Sequence, residues 1–246
     1  MAWGLRAQGI TPGDRVAVSF RNSPELVVAV LATLRSGAIL VPLNPSATVD
    51  ELGYLLGDCG AALVLTQPEQ APAIRTCGYA GPLLTAATLM DWTSGSATEP
   101  PLPRRGPEDP AILMYTSGTT SRPKGVLLSQ GALFTNFSTV ATTWEWTQAD
   151  RLLLTLPCFH LHGLGLGILL SLCVGSSLVL CPGFVAEEAL ELGAVDFVAK
   201  PKIGVADGLR QLGEEITEKI RMASRARVKR LSAPAPAASP RPSCSC

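Results

Sequence analysis

Tyr115-Thr-Ser-Gly-Thr-Thr-Ser-Arg-Pro-Lys124-Gly125 is the stretch on which the reading of this chain turns. Hydroxyl side chains, glycines and one lysine are set between two short apolar runs, Ala111 to Tyr115 and Gly125 to Leu128, both of strand character. Such a loop has the composition of a phosphate cradle. Glycine lets backbone approach a ligand, N–H groups in a tight loop form an anion-binding concavity, hydroxyls bond phosphate oxygens and lysine adds a point charge. The order is Lys then Gly, with no glycine-rich run ending in Gly-Lys, so the Walker-type arrangement is excluded and another nucleotide fold is implied. By composition alone, a Ser/Thr-rich hairpin turn with a solvated lysine remains the competing description.

The ordered string itself closely resembles the signature of the adenylate-forming (AMP-binding) superfamily, which includes acyl-CoA synthetases, luciferases and peptide-synthetase adenylation domains. Ser121 stands where the family usually has glycine, a change that alters the allowed backbone angles and removes no ligand group. Further similarity lies on both sides of the loop, in Thr11-Pro-Gly-Asp-Arg-Val-Ala-Val, Asn22-Ser-Pro-Glu, Gly37-Ala-Ile-Leu-Val-Pro-Leu-Asn-Pro and Glu51-Leu-Gly-Tyr-Leu-Leu. Trp144-Glu-Trp and Leu156-Pro-Cys-Phe-His-Leu-His-Gly-Leu look most like the malonyl-CoA and oxalyl-CoA synthetase branch.

The resemblance covers residues 1 to about 183 and implies an incomplete N-terminal domain of the adenylate-forming fold, α/β in class. It implies attack of a carboxylate, such as malonate or oxalate, on the α-phosphate of ATP, then acyl transfer to coenzyme A. Thr116, Ser117, Gly118, Thr119, Thr120 and Lys124 would hold the β- and γ-phosphates, and Mg²⁺ would offset charge on the leaving pyrophosphate, with Thr119 and Thr120 near it through the nucleotide. Lys124 and His160 are the catalytic candidates. His160 and His162, the only histidines, would line the carboxylate pocket, His162 as a partner for an acidic acyl chain. Without the resemblance, a histidine pair beside an apolar run reads as core or cap. Cys158 beside His160 lacks a third residue to orient the imidazole and is not read as a nucleophile.

Outward from the loop, strand and helix signals alternate. Arg15 to Phe20 reads as a strand; Ser23, Pro24 and Glu25 open a helix that Gly37 ends. Ile39 to Val41 is the next strand. Thr48 and Glu51 have capping-box spacing for a helix to about Asp58, followed by a strand at Ala62 to Thr66. Thr93 to Pro110 reads as a surface connection. Beyond the loop, Ser129 caps a helix to about Trp146, and Arg151 to Leu156 is a buried strand. Leu152 to Ala186 carries no Asp, Glu, Lys or Arg, but its glycines and Ser176-Ser177 favour a buried helix and strand over a membrane span.

The 246 residues, 47% of them hydrophobic, suffice for a substantial core, and equal counts of 20 basic and 20 acidic residues give no global field for nucleic acid. Seven scattered cysteines without a CxxC pair argue against a disulfide framework or a zinc cluster, and the start has no secretory pattern, so a cytoplasmic setting is expected. After Phe184 the later family segments are not found. Residues about 187 to 240 instead resemble the receiver-domain end and linker of a chemotaxis protein-glutamate methylesterase regulator, with Lys200-Pro201 closing its last strand. The competing description is that residues 187 to 230 are a helix, strand and helix continuing the ligase-like domain; Glu214 to Arg230 is expected as a solvated helix face and 231–246 as a flexible Ala/Pro/Ser tail. A truncated sheet would leave an open edge that an oligomer or partner could cover.

Overall fold

A computed structural model describes residues 1–92, 102–116, 122–192 and 216–225. The chain divides into two compact units, Met1–Phe184 and Val185–Cys246.

In the first unit a six-stranded sheet runs in the order β4-β3-β1-β2-β5-β6. Its strands are β1 (Arg15–Ser19), β2 (Ile39–Pro42), β3 (Leu63–Thr66), β4 (Leu83–Thr85), β5 (Pro110–Thr116) and β6 (Lys124–Ser129). β1 to β5 pair in parallel and β6 returns antiparallel on β5. The central strands are apolar along their length because both sheet faces are covered. Val16, Val18, Leu40, Leu63 and Leu65 enter one core, while Ala17, Val41 and Val64 enter the other. That is the period-2 alternation of a strand buried on both sides.

The helices follow their signals. α1 (Ala2–Ala7) precedes β1; α2 (Pro24–Ser36) begins where Ser23 Oγ accepts from the Leu26 N–H and ends at Gly37, whose φ of 86° is left-handed. Its Leu26, Ala29, Val30, Thr33 and Ser36 are buried, the i, i+3, i+4, i+7 stripe of one face. α3 (Val49–Cys59) opens with the full Thr48–Glu51 capping box and buries Leu52, Leu56 and Cys59 against the second core. α4 (Ala71–Thr76) and α5 (Ala86–Asp91) flank β4, elements for which the sequence offered no periodic run long enough to read.

α6 (Gln130–Thr143) is capped by Ser129, as the sequence indicates, but stops at Thr143 and not near Trp146. Glu145 takes a positive φ of 51° there, and the reversal stacks Trp146 on Trp144 with ring centroids 6.1 Å apart and lets the Trp146 indole donate to Ser176 Oγ. β7 (Arg151–Leu154) pairs in parallel with β8 (Ser177–Leu180), and it too is shorter than expected. Between them, His162–Leu169 is π-helical and runs into α7 (Leu170–Val174). Gly163 and Gly167 permit the close approach of this wide turn to β7 and the segment just past it, since a Cβ on Gly163 would stand 2.6 Å from the Pro157 carbonyl oxygen and one on Gly167 the same distance from Leu154 Cδ2 of β7. Among the described residues no helix is long and apolar enough to cross a membrane.

In the second unit, α8 (Ala186–Glu191) and a helical stretch at 216–223 are described. The expected strand with Lys200-Pro201, and the tail 231–246, lie outside the described residues. At the edge of the first unit, Val126 and Leu127 on β6 are exposed.

Candidate functional site

The β5–β6 hairpin positions the two ends of the quoted loop. Thr116 and Lys124 are register partners at the end beside the loop, with Tyr115 opposite Gly125 and Met114 opposite Val126. Thr116 and Lys124 are both exposed. Ser117, Gly118, Thr119, Thr120 and Ser121 lie outside the described residues. The alternation of the strand decides which way the ends face: Ile112 and Met114 enter the larger core, so Thr116 belongs to that side. Lys124 and Leu128, four residues apart on β6, likewise share a face, and Leu128 packs against the same core.

That face carries a cavity of about 410 Å³ between the end of β6, α6 and the π-helical segment. Its walls are apolar, from Leu128, Leu133, Phe137, Leu161 and Leu166, with Asn136 and His162 as the polar groups. At about 3.3 Å per strand residue, Lys124 and Leu128 are about 13 Å apart along β6, so one strand runs from the exposed lysine beside the loop to the apolar pocket. His162 therefore lies on the cavity wall. His160, paired with it in the sequence reading, is not among the residues lining that cavity; both histidines are exposed, and the His160 ring tilts against Phe159 with centroids 4.4 Å apart.

The segment that presents His162 is fixed from β1. Asn22, just past the strand's end, donates from Nδ2 to the carbonyls of Leu156 and Cys181, and its Oδ1 accepts from the Cys158 N–H at 3.0 Å. One buried amide thereby satisfies three backbone groups of the β7 and β8 ends. The Cys158 thiol is buried beside it, and burial pushes its pKa from 9.0 up to about 12. A thiol so desolvated stays neutral and is a poor nucleophile.

On the opposite sheet face, α3 meets the hairpin. The Tyr115 hydroxyl donates to Asp58 Oδ2 at 2.6 Å, Tyr54 donates to the Pro123 carbonyl at 2.9 Å, and the Arg122 guanidinium lies 5.3 Å from the Tyr54 ring centroid. Burial, joined by the bond to Asp58, pushes the Tyr115 phenol well above its ordinary range. Asn22, Tyr54 and Asp58 were not singled out from sequence, although all three fall in or beside the quoted segments Asn22-Ser-Pro-Glu and Glu51-Leu-Gly-Tyr-Leu-Leu.

The residues at the hairpin mouth fit a polyphosphate: an ammonium and a hydroxyl stand opposite one another, exposed, at the ends of a hydroxyl- and glycine-rich loop. Comparisons agree with that chemistry. The family model described as AMP-binding enzyme matches residues 1–233, which includes most of the stretch resembling a receiver domain. An oxalate–CoA ligase of Arabidopsis thaliana is 38% identical over 186 residues, 70% of this chain and 36% of the relative. A feruloyl-CoA synthase of Amycolatopsis is 36% identical over 196 residues, 80% of this chain and 39% of the relative. Among solved structures, ATP-bound MatB from Rhodopseudomonas palustris superposes with a TM-score of 0.69 at 34% identity, covering 78% of this chain and 39% of that one. The chain thus spans under two fifths of the length of these relatives.

Proposed function

The chain belongs to the AMP-binding enzyme family, and from that premise we propose that it provides the nucleotide- and acyl-binding part of an ATP-dependent carboxylate–CoA ligase. The observation that carries this reading is the shared face of Lys124 and Leu128, which sets a polyphosphate-holding end and an apolar cavity along one strand. In this reading Thr116, Ser117, Gly118, Thr119, Thr120 and Lys124 hold the β- and γ-phosphates of ATP. Mg²⁺ bound to those phosphates, near Thr119 and Thr120, supplies charge compensation for the leaving group. A carboxylate oxygen attacks the α-phosphorus, the bond to the β-phosphate oxygen breaks, and pyrophosphate leaves. The thiol of coenzyme A then displaces AMP from the acyl-adenylate, giving the thioester. The loop acts through position and charge, since two anions must be brought together.

His162 faces the acyl group from the cavity wall, and His160 is the catalytic candidate carried from sequence. The resemblance of Leu156 to Leu164 to the malonyl- and oxalyl-CoA synthetase branch favours a small dicarboxylate such as malonate or oxalate, with His162 as partner of its second carboxylate. The match to the family model continues past residue 183 to residue 233; the setting is cytoplasmic, and an oligomer or partner covers the exposed Val126 and Leu127 edge. Receiver-like signalling by residues about 187 to 240 rests on sequence resemblance, and phosphoryl-donor labelling would test it.

Calorimetry of MgATP against the purified chain, with Lys124→Ala beside it, is the direct test. Saturable binding weakened by the substitution is expected, with malonate- or oxalate-dependent pyrophosphate exchange following from it. Binding without exchange for any carboxylate would leave a nucleotide-binding protein without turnover. A folded chain that binds no MgATP would overturn the proposal.

A further inference from the structure

α3 offers the hairpin two polar side chains one helical turn apart, and each takes hold of a different arm. Asp58 accepts from Tyr115, the residue before Thr116. Tyr54 donates to the carbonyl of Pro123, the residue before Lys124, while Arg122 lies over its ring. The i, i+4 spacing of Tyr54 and Asp58 places both on one side of α3. The contacts bridge 57 and 69 residues of sequence, so local chain geometry does not account for them. The other face of α3 is anchored through Leu52, Leu56 and Cys59 in the second core, and its start is held by the Thr48–Glu51 capping box, so the grip on the arms is made from a fixed element.

We propose that Tyr54 and Asp58 are positioning residues that hold the two arms of the hairpin at the spacing a nucleoside triphosphate requires, working from the sheet face opposite the one where the ligand sits. This rests on the reading of the loop as a MgATP site. Neither residue touches the nucleotide. Their effect is to have the arms ordered before binding, so that less conformational entropy is lost when phosphate is captured. Arg122 is held over Tyr54 in the same way, which keeps the cation adjoining Pro123-Lys124 directed towards α3.

The test uses the full chain with Tyr54→Phe, Asp58→Ala and Asp58→Asn. Phenylalanine keeps the ring and loses the hydroxyl, alanine removes the acceptor for Tyr115, and asparagine retains an acceptor oxygen. Thr33→Val serves as the control, since Thr33 is buried in α2 and its hydroxyl donates to the Ala29 carbonyl within that helix and to neither arm of the hairpin. Two quantities are read: amide hydrogen exchange at Thr116 and Lys124, and MgATP affinity by calorimetry. Tyr54→Phe and Asp58→Ala are expected to speed exchange at both amides and weaken MgATP binding about fivefold, the size of one lost hydrogen bond. Asp58→Asn should restore most of the affinity, and Thr33→Val should leave both readouts in place. Wild-type affinity and exchange in Tyr54→Phe and Asp58→Ala would overturn the proposal alone, as would an equal loss in Thr33→Val. Absence of MgATP binding by folded wild-type protein would overturn the nucleotide reading, and this proposal with it.

Discussion

Asn22 and Cys158, 136 residues apart in the chain, are joined by a 3.0 Å hydrogen bond from the Cys158 N–H to the Asn22 Oδ1, in a site closed to solvent. The same amide donates to Leu156 and Cys181, so the end of β1 sets the course of the chain into the π-helical segment. Asn22→Ala leaves an N–H and two carbonyls without this partner and should cost about 2–4 kcal/mol, as expected for several buried groups left unpaired. Asn22→Asp keeps an acceptor for Cys158 but sets a carboxylate against two carbonyl oxygens, so it should fail to rescue. Urea unfolding of the three proteins checks both statements, and a wild-type midpoint for Asn22→Ala would refute them.

Gly163 should tolerate no side chain. A Cβ there would lie 2.6 Å from the Pro157 oxygen and 3.2 Å from the Leu156 oxygen, and backbone cannot rotate aside as a flexible side chain can. Gly163→Ala should therefore destabilise by about 1–3 kcal/mol, the range for overpacking. It should also shift the imidazole resonance of His162 more than that of His160, because His162 adjoins the displaced turn. NMR of the two histidines, assigned by single His→Gln variants, reads this directly.

The buried thiols predict an alkaline limb of stability. In the folded chain burial raises the Cys158 thiol from 9.0 to about 12, and Cys59 to about 11 for the same cause. Above pH 9 the unfolded chain loses these protons while the folded chain keeps them, so their contribution is complete below pH 9 and falls away as pH rises to about 11–12. Cys158→Ala should flatten this decline between pH 9 and 11 in denaturant titrations. Thiol alkylation at pH 8 should reach exposed Cys173 well before Cys59, Cys158 or Cys181, which are buried. Early labelling of Cys158 would mean that the site around Asn22 opens readily.

Thr48 tests whether α3 matters beyond its own turn. Its side chain accepts from the Glu51 N–H while Glu51 accepts from the Thr48 N–H, and losing such a cap costs about 1 kcal/mol. Thr48→Ala should lower stability by that amount. If α3 braces the hairpin, exchange at Lys124 should also rise, which hydrogen-exchange mass spectrometry of the β6 peptide would detect.

Much of the fold was legible because its signals are local. Ser23, Thr48 and Ser129 cap the helices they were expected to cap, since a side-chain oxygen three residues ahead of an open N–H meets it wherever the helix begins. The valine- and leucine-rich strands were equally plain. The helix after Ser129 ended early, because the stop is made by a Trp146 contact with Ser176, 30 residues away in sequence. The π-helical turn escaped notice too, as its glycines are explained by Pro157 and Leu154 packed against them and not by any period in the sequence.

At the site the division is sharper. The amino-acid sequence by itself determined the family and the residue types of the loop, because the resemblance rests on the order of its hydroxyls, glycines and lysine and not on any contact across the fold. Tertiary structure alone decided which histidine lines the cavity, that Lys124 and Leu128 share its face, and that Asn22, Tyr54 and Asp58 support the segments around it. These are relations across strand pairings and helix packing, where bonding partners lie 57 to 159 residues apart and no local spacing encodes them. Only the folded sheet, by fixing the register of β5 on β6 and the seat of α3, brings them into contact.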